Sequence, residues 1–312
     1  MGNTHARQYS LMEDVELGYH DRLPERAESF QSRFNAHCCE NADSLIAWAD
    51  VLDICLPTDL HVEFALKCIA AGKAVFLEKP IAGNFADAVR VVSAADKAGV
   101  PLMIGQVVRY FPDYAAGHRV VKSGRIGTPA AARLRRGGSA PSGQKAWFMD
   151  HSRSGGVLLD LAIHDFDWLR WTLGEVKHLY SRSVGATTGV GPDYALTTLT
   201  FESGAVAHIE ATWMDPSGFR TTFEVAGSEG LIQYDSRDSA SLKTLSANAT
   251  VYESAVLPLD DPYYLELRGF LDSVRDGCEP PVPGYEGLMA LSIALAAYES
   301  AKSGLVVVPA RP

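Results

Sequence analysis

Across residues 1–104, short apolar strands alternate with amphipathic helices, and no other feature limits the possible folds of this chain as strongly. Asn3–Met12 reads as a short helix and Val15–Tyr19 as a strand. Pro24–Phe34 is a polar helix with Pro24 at its first position, where the missing N–H is not needed. Val51–Leu56 is a continuous apolar strand stopped by Pro57, His61–Ala71 a helix closed by Gly72, and Ala74–Leu77 a second buried strand. Asn84 can cap a helix running to Ala98, Gly99 ends it, and Leu102–Gly105 is one more strand. Strands spaced by helices in this way predict βαβ units in a parallel, doubly wound sheet.

After Gly105 the pattern changes, which places a domain boundary between residues 104 and 105. A helix near Tyr114–Ser123 leads through Gly124-Arg125-Ile126-Gly127 to a strand at Ala130–Arg136. A Gly/Ser/Pro-rich loop, Gly137–Gly143, then precedes a long helix predicted over Val157–Leu173. Strand-like runs follow at Lys177–Val184, Tyr194–Phe201, Ala205–Trp213, Thr221–Ala226 and Leu231–Tyr234. Glu202-Ser203-Gly204 and Ser228-Glu229-Gly230 carry hairpin chemistry, so this second sheet should be large and mostly antiparallel. Tyr263–Asp276 and Tyr285–Lys302 read as closing helices. The expected fold class is α/β, a doubly wound domain over 1–104 followed by an α/β domain over 105–312.

Composition narrows the function. A formal charge of −10 without Lys/Arg runs argues against a nucleic-acid surface, which must neutralise phosphates. No uninterrupted apolar run approaches the ~20 residues of a membrane span, and the start lacks a basic-then-apolar leader, so a cytoplasmic protein with a small-molecule ligand is expected. Cys38, Cys39, Cys55, Cys68 and Cys278 form neither a disulfide framework nor a zinc spacing; they read as reduced, and no metal is expected.

Chemistry concentrates at a few places. In Glu78-Lys79-Pro80 the proline holds Lys79 extended, with its ammonium beyond the strand's carboxyl end, where ligands bind in open α/β sheets. A solvated lysine at a strand exit is the bland alternative. Behind Gly155-Gly156, helical spacing puts Leu159, Ala162, Ile163, Phe166, Leu169 and Leu173 on one apolar stripe, and Asp160, His164 and Asp167 on a second face. A carboxylate one turn from an imidazole can orient the ring, and histidine titrates near neutral pH as a general acid/base should; a surface ion pair is the alternative. Asp21 closes the first strand, where dinucleotide folds place the acid for the ribose hydroxyls, or it is an ordinary turn aspartate. In Pro57-Thr58-Asp59-Leu60-His61, Thr58 or Asp59 could simply cap the following helix.

These residues together resemble the Gfo/Idh/MocA family of nicotinamide-dependent oxidoreductases. The resemblance runs through Pro57-Thr58 with His61, Ala71-Gly72-Lys73 to Glu78-Lys79-Pro80, Gly105-Gln106 with Arg109, and Gly155-Gly156 with Asp160, His164 and Asp167. It implies a Rossmann domain plus an α/β domain whose open sheet forms a subunit interface, hence a homo-oligomer, dimer or tetramer. It further implies that Lys79, Asp160 and His164 are catalytic, and that NAD, in preference to NADP, binds at Gly2, Asp21, Arg22, Pro57, Thr58, His61, Glu78, Lys79 and Pro80. Arg109, Trp147 and Phe148, with Asp160 and His164, would contact substrate, although interdomain packing explains Arg109 and the two aromatics equally well. Family members begin with a strand and a Gly-x-Gly-x-x-Gly turn followed two residues later by a histidine; here Gly2-Asn3-Thr4-His5 matches only the end of it. The expectation is therefore that Met1 is an internal residue of that turn, the first strand being missing.

The activity implied is oxidation or reduction of a secondary alcohol or ketone on a sugar, inositol or related polyol. Two alternatives stay open: NAD-dependent glycoside cleavage by transient oxidation, and a catalytically weak nucleotide-sensing regulator.

Overall fold

The structure, a computed structural model, describes residues 1–140, 150, 154–185, 194–238, 242–246, 249–253 and 261–312. Trp147 and Phe148 lie outside the described residues. The alternating half runs α1 (Gly2–Tyr9), β1 (Gly18–Tyr19), α2 (Pro24–Phe34), β2 (His37–Cys38), α3 (Ala42–Trp48), β3 (Val51–Ile54), α4 (Thr58–Ala70), β4 (Ala74–Glu78), α5 (Phe85–Ala98) and β5 (Leu102–Gly105). All its strand pairs are parallel, β3-β4-β5 in one sheet and β1-β2 in another. The caps act as expected: the Asn84 side chain accepts from the Asp87 N–H, and Gly99 closes α5 at φ 64°. The Val15–Tyr19 strand is the exception, since it pairs only at Gly18 and Tyr19 and the Val15 N–H donates back to the Met12 carbonyl in a turn. Helix α3, missed by apolar periodicity, starts from a reciprocal Asn41–Ser44 capping box.

Strand β4 is buried along its whole length because helices cover both of its faces. Val75 and Leu77 join a core with Ala65, Ile69 and Val91 of α4 and α5, whereas Ala74 and Phe76 pack with Tyr9 of α1 and Phe270 near the chain's end. This continuous burial leaves only the strand's carboxyl end open to a ligand.

The second half contains a 3-10 turn at Val107–Tyr110, then α6 (Pro112–Lys122), β6 (Pro129–Gly137), α7 (Gly156–Asp160), α8 (Ile163–Leu173), β7 (Val176–Val184), β8 (Tyr194–Phe201), β9 (Val206–Thr212), β10 (Arg220–Gly227), β11 (Gly230–Asp235), β12 (Leu242–Ser246), β13 (Ala249–Glu253), α9 (Pro262–Asp276) and α10 (Gly284–Ser303). Eight strands form one sheet in the order β13-β12-β11-β10-β6-β9-β8-β7, antiparallel except for β6–β9. One face buries Leu134, Leu199, Phe201, Ile209, Phe223 and Val225; the other carries Arg133, Arg135, Glu210 and Glu224. Helix α10 crosses back to the first half. A Cβ on Gly287 would stand 2.6 Å from Ile104 Cγ1, so only glycine permits this approach of helix to β5.

The helix predicted over Val157–Leu173 is broken. The N–H groups of Leu161 and Ala162 both donate to the Val157 carbonyl, so α7 ends at Asp160 and α8 starts afresh at Ile163. That break changes which side chains share a face.

Candidate active site

Two glycines deliver Asp160 to Lys79. Gly155 and Gly156 take φ values of 73° and 68°, and a Cβ on Gly155 would sit 2.6 Å from Leu159 Cδ2, so the chain turns tightly into α7 only without side chains there. From the end of α7, Asp160 presents both its carbonyl, 2.7 Å from Lys79 Nζ, and its carboxylate, Oδ1 at 2.8 Å. Both side chains are 14% exposed, so the pair is sheltered yet reachable. An ammonium has three N–H donors. Two are committed to Asp160, which leaves one for a ligand.

His164 lies on the first turn of α8, and its Nδ1 is buried with no hydrogen-bond partner. Burial, followed by the positive charges of Lys79 and Arg136, pushes its pKa well below the ordinary 6.5, so the ring is neutral at physiological pH. This corrects the expected titration near neutrality. It also corrects the role expected of Asp160, whose carboxylate binds Lys79 rather than orienting the imidazole, because the helix break moves the two residues off a common face.

Asp167 goes elsewhere. Its oxygens accept from Arg109 Nε at 2.7 Å and Nη2 at 2.6 Å, while Arg109 Nη2 also reaches Glu286 Oε2 at 2.7 Å and Arg170 Nη1 reaches Glu286 Oε1 at 2.9 Å. Arg109 is therefore a buried tie between the 3-10 turn, α8 and α10, as the packing alternative expects. Asp165 is likewise bound by Arg136, at 2.9 and 2.8 Å, with the Tyr114 hydroxyl on the same guanidinium at 3.1 Å.

The carboxyl ends of the parallel strands gather the expected cofactor residues. The start of α1 abuts β3, a Cβ on Gly2 falling 3.8 Å from Cys55 Cβ, so a helix N-terminus faces the same edge as Lys79. Asp21 follows β1 and accepts the Leu23 N–H at 2.9 Å through Oδ1. Pro57 is the N-cap of α4, and Thr58 is buried within its first turn. A helix N-terminus suited to an anionic pyrophosphate and a carboxylate suited to ribose hydroxyls fit a dinucleotide.

Two other expected cofactor contacts are already engaged. Glu78 Oε2 accepts from the Lys79 N–H at 3.1 Å and Oε1 faces His5 Nε2 at 3.2 Å. His61 points Nδ1 at the Pro80 carbonyl and Nε2 at the Leu56 carbonyl, each at 2.8 Å. Both side chains thus brace the backbone beside Lys79.

Beneath them lies a cluster the sequence reading passed over. His5 Nδ1 is 2.8 Å from Asp53 Oδ2 and 3.3 Å from Cys55 Sγ. Ligands of one tetrahedral zinc, each ~2.0–2.1 Å from the metal, stand roughly 3.4 Å apart, so the short His5–Asp53 contact is a hydrogen bond. Burial alone would lower the pKa of His5, but Asp53 and Cys55 outweigh it and raise it far, so the ring is an imidazolium. Glu266 is fully buried with neither oxygen hydrogen-bonded, and burial raises its pKa well above the carboxylate range. The available signal was Asp53, an acid inside an otherwise apolar strand.

Comparison with known proteins agrees with this architecture. A family model described as "Oxidoreductase family, NAD-binding Rossmann fold" matches residues 1–106, and one described as "GFO/IDH/MocA C-terminal domain" matches residues 114–233. The chain is 33% identical to a myo-inositol 2-dehydrogenase of Thermotoga maritima over 80% of this chain and 77% of that protein. It is 29% identical to a scyllo-inositol 2-dehydrogenase (NAD(+)) of Bacillus subtilis over 83% and 77%, respectively. The crystal structure of a probable dehydrogenase from Thermotoga maritima superposes with a TM-score of 0.85 at 27% identity, covering 98% of this chain and 95% of that one.

Proposed function

The chain belongs to the Gfo/Idh/MocA oxidoreductases, and from that premise we propose that it is an NAD(H)-dependent enzyme interconverting a secondary alcohol and a ketone on a sugar, inositol or related polyol. The observation that carries this reading is the Lys79–Asp160 pair with a neutral, unpartnered His164 beside its charge. Bound here, NAD would supply the hydride acceptor for oxidation, and NADH the hydride donor for reduction. Lys79, with two donors fixed by Asp160, aims its third at the substrate oxygen and stabilises the negative charge that develops there. His164, already neutral, takes the hydroxyl proton on oxidation and gives it back on reduction. Asp160 acts on Lys79 alone, holding the ammonium in place.

Gly2, Asp21, Arg22, Pro57 and Thr58 would hold NAD, the Asp21 carboxylate favouring a free ribose hydroxyl over a 2'-phosphate. Residues 1–104 would form the NAD-binding domain and 105–312 the substrate domain. No described helix is long and apolar enough to cross a membrane. We place the enzyme in the cytoplasm as a dimer or tetramer joined through the open face of the large sheet, where Leu196 is 46% exposed. The test is a panel of inositols, sugars and polyols followed by NADH absorbance. Turnover by the wild type and its loss in Lys79→Ala would support the reading, and no turnover on any of them would refute it.

A further inference from the structure

The side chain of His61 spans the gap between two backbone turns that leave adjacent strands. We infer that His61 is a positioning residue which, as an imidazolium donating to the Leu56 and Pro80 carbonyls at once, locks these turns together and so sets Lys79 against Asp160. Each contact is 2.8 Å, and the residue is 1% exposed. A neutral imidazole has one N–H, so one carbonyl would face a nitrogen lone pair at hydrogen-bond distance. Only the doubly protonated ring satisfies both acceptors, and buried polar groups are paired as a rule.

The two carbonyls matter because of what adjoins them. Leu56 O precedes the Pro57–Thr58 start of α4, and Pro80 O follows Lys79 directly. Pulling one toward the other sets the spacing between a cofactor turn and the reacting ammonium. Burial is the largest influence on this ring and, with the Lys79 charge, lowers its pKa below the ordinary 6.5, although the Leu56 and Pro80 carbonyls and then Glu78 favour the charged form. The second proton is assigned from the two carbonyl oxygens at 2.8 Å, which no neutral tautomer can satisfy together. With both nitrogens committed, the ring has no polar atom left for a cofactor. This assignment rests on the proposed reaction only for its turnover arm.

Nitrogen-15 spectroscopy of histidine-labelled wild-type protein at pH 7 tests the proton count directly, with His61→Asn identifying the signals. Both ring nitrogens of His61 should be protonated; a single-proton tautomer would overturn the imidazolium. In the second arm, His61→Ala should lower turnover by ~10²-fold, the scale of a misplacement near 1 Å. Its NADH affinity should fall far less than its turnover, because the ring touches no cofactor and reaches it only through the Pro57–Thr58 turn. Added imidazole should restore part of the turnover, more at pH 6 than at pH 8. Loss of NADH affinity equal to the loss of turnover would make His61 a cofactor contact and overturn the assignment. If His61→Ala does not fold, His61→Gln, which keeps one amide donor, takes its place under the same criteria. Absence of turnover in the wild type would refute the functional reading, and the nitrogen-15 result would then decide this inference alone.

Discussion

Raising the pH from 6 to 8 should destabilise this protein through His5. In the folded chain Asp53 and Cys55 hold its pKa far above 6.5 against the opposing effect of burial, so the ring keeps its proton across this range. The unfolded chain loses that proton around 6.5. The folded state therefore binds more protons above pH 6.5, and stability, complete below that value, falls as the pH rises. Integrating one proton with an unfolded pKa of 6.5 gives a loss of about 2 kcal/mol between pH 6 and 8, a large share of a typical 5–15 kcal/mol. Glu266, buried with neither oxygen hydrogen-bonded, acts in the same direction, because burial raises its pKa in the fold while its unfolded form is already ionised. Urea unfolding of the wild type, His5→Asn and Glu266→Gln at pH 6, 7 and 8 separates the two. Each variant should lose its own share of the pH slope, whatever its absolute stability. A His5→Asn slope parallel to the wild type would show that the ring is neutral in the fold and that the ionic reading of Asp53–His5–Glu78 is wrong.

Lys79→Ala should lower turnover by ~10²- to 10⁴-fold while calorimetry finds NAD affinity little changed. Oxidation should be flat through neutrality, with its acid limb well below pH 6.5, since burial, Lys79 and Arg136 depress His164; rate profiles of wild type and His164→Asn check that the limb belongs to this ring. Asp21→Ala should narrow the preference for NAD over NADP, read from the two specificity constants, and an unchanged ratio would release Asp21 from the role. Gly287→Ala should cost roughly 1–3 kcal/mol by forcing α10 off Ile104, measured as a shifted urea midpoint at constant m-value.

Much of the fold was legible because its signals are local. Proline at the start of α2, Asn84 and Gly99 around α5, and the Ser228-Glu229-Gly230 hairpin act within a few residues of themselves, and all are found where the sequence placed them. The misses have tertiary causes. Strand length at Gly18–Tyr19 is set by its two-residue partner, and strands β12 and β13 are a hairpin whose sequence, Leu242–Glu253, lacks strong apolar alternation. In the site, Lys79, Asp160 and His164 were legible as chemistry, but their pairing was not. Helical periodicity assumes an unbroken helix, and the break after Asp160 sends its carboxylate across to a lysine 81 residues away. Glu78 and His61 were read as ligand contacts because of where they stand along the chain, whereas the carbonyls and the imidazole they bind belong to other elements.

The break also explains how two adjacent helices carrying so many acids present a histidine to the site. Buried ion pairs add little stability, since desolvation offsets their attraction, but removing one partner leaves a costly buried charge, so each pair dictates where its helix must lie. Asp165 is bound to Arg136 of β6, Asp167 to Arg109 of the 3-10 turn, and Asp160 to Lys79 of the first half. With Asp165 and Asp167 pinned to different partners, the rotation of α8 about its axis is fixed, while Asp160 ties down the end of α7. His164 is then the side chain left with a buried nitrogen that bonds to nothing in the described protein. Arg136 neutralises Asp165 and also helps to hold His164 uncharged, so the pairing that orients the helix prepares its imidazole to accept a proton.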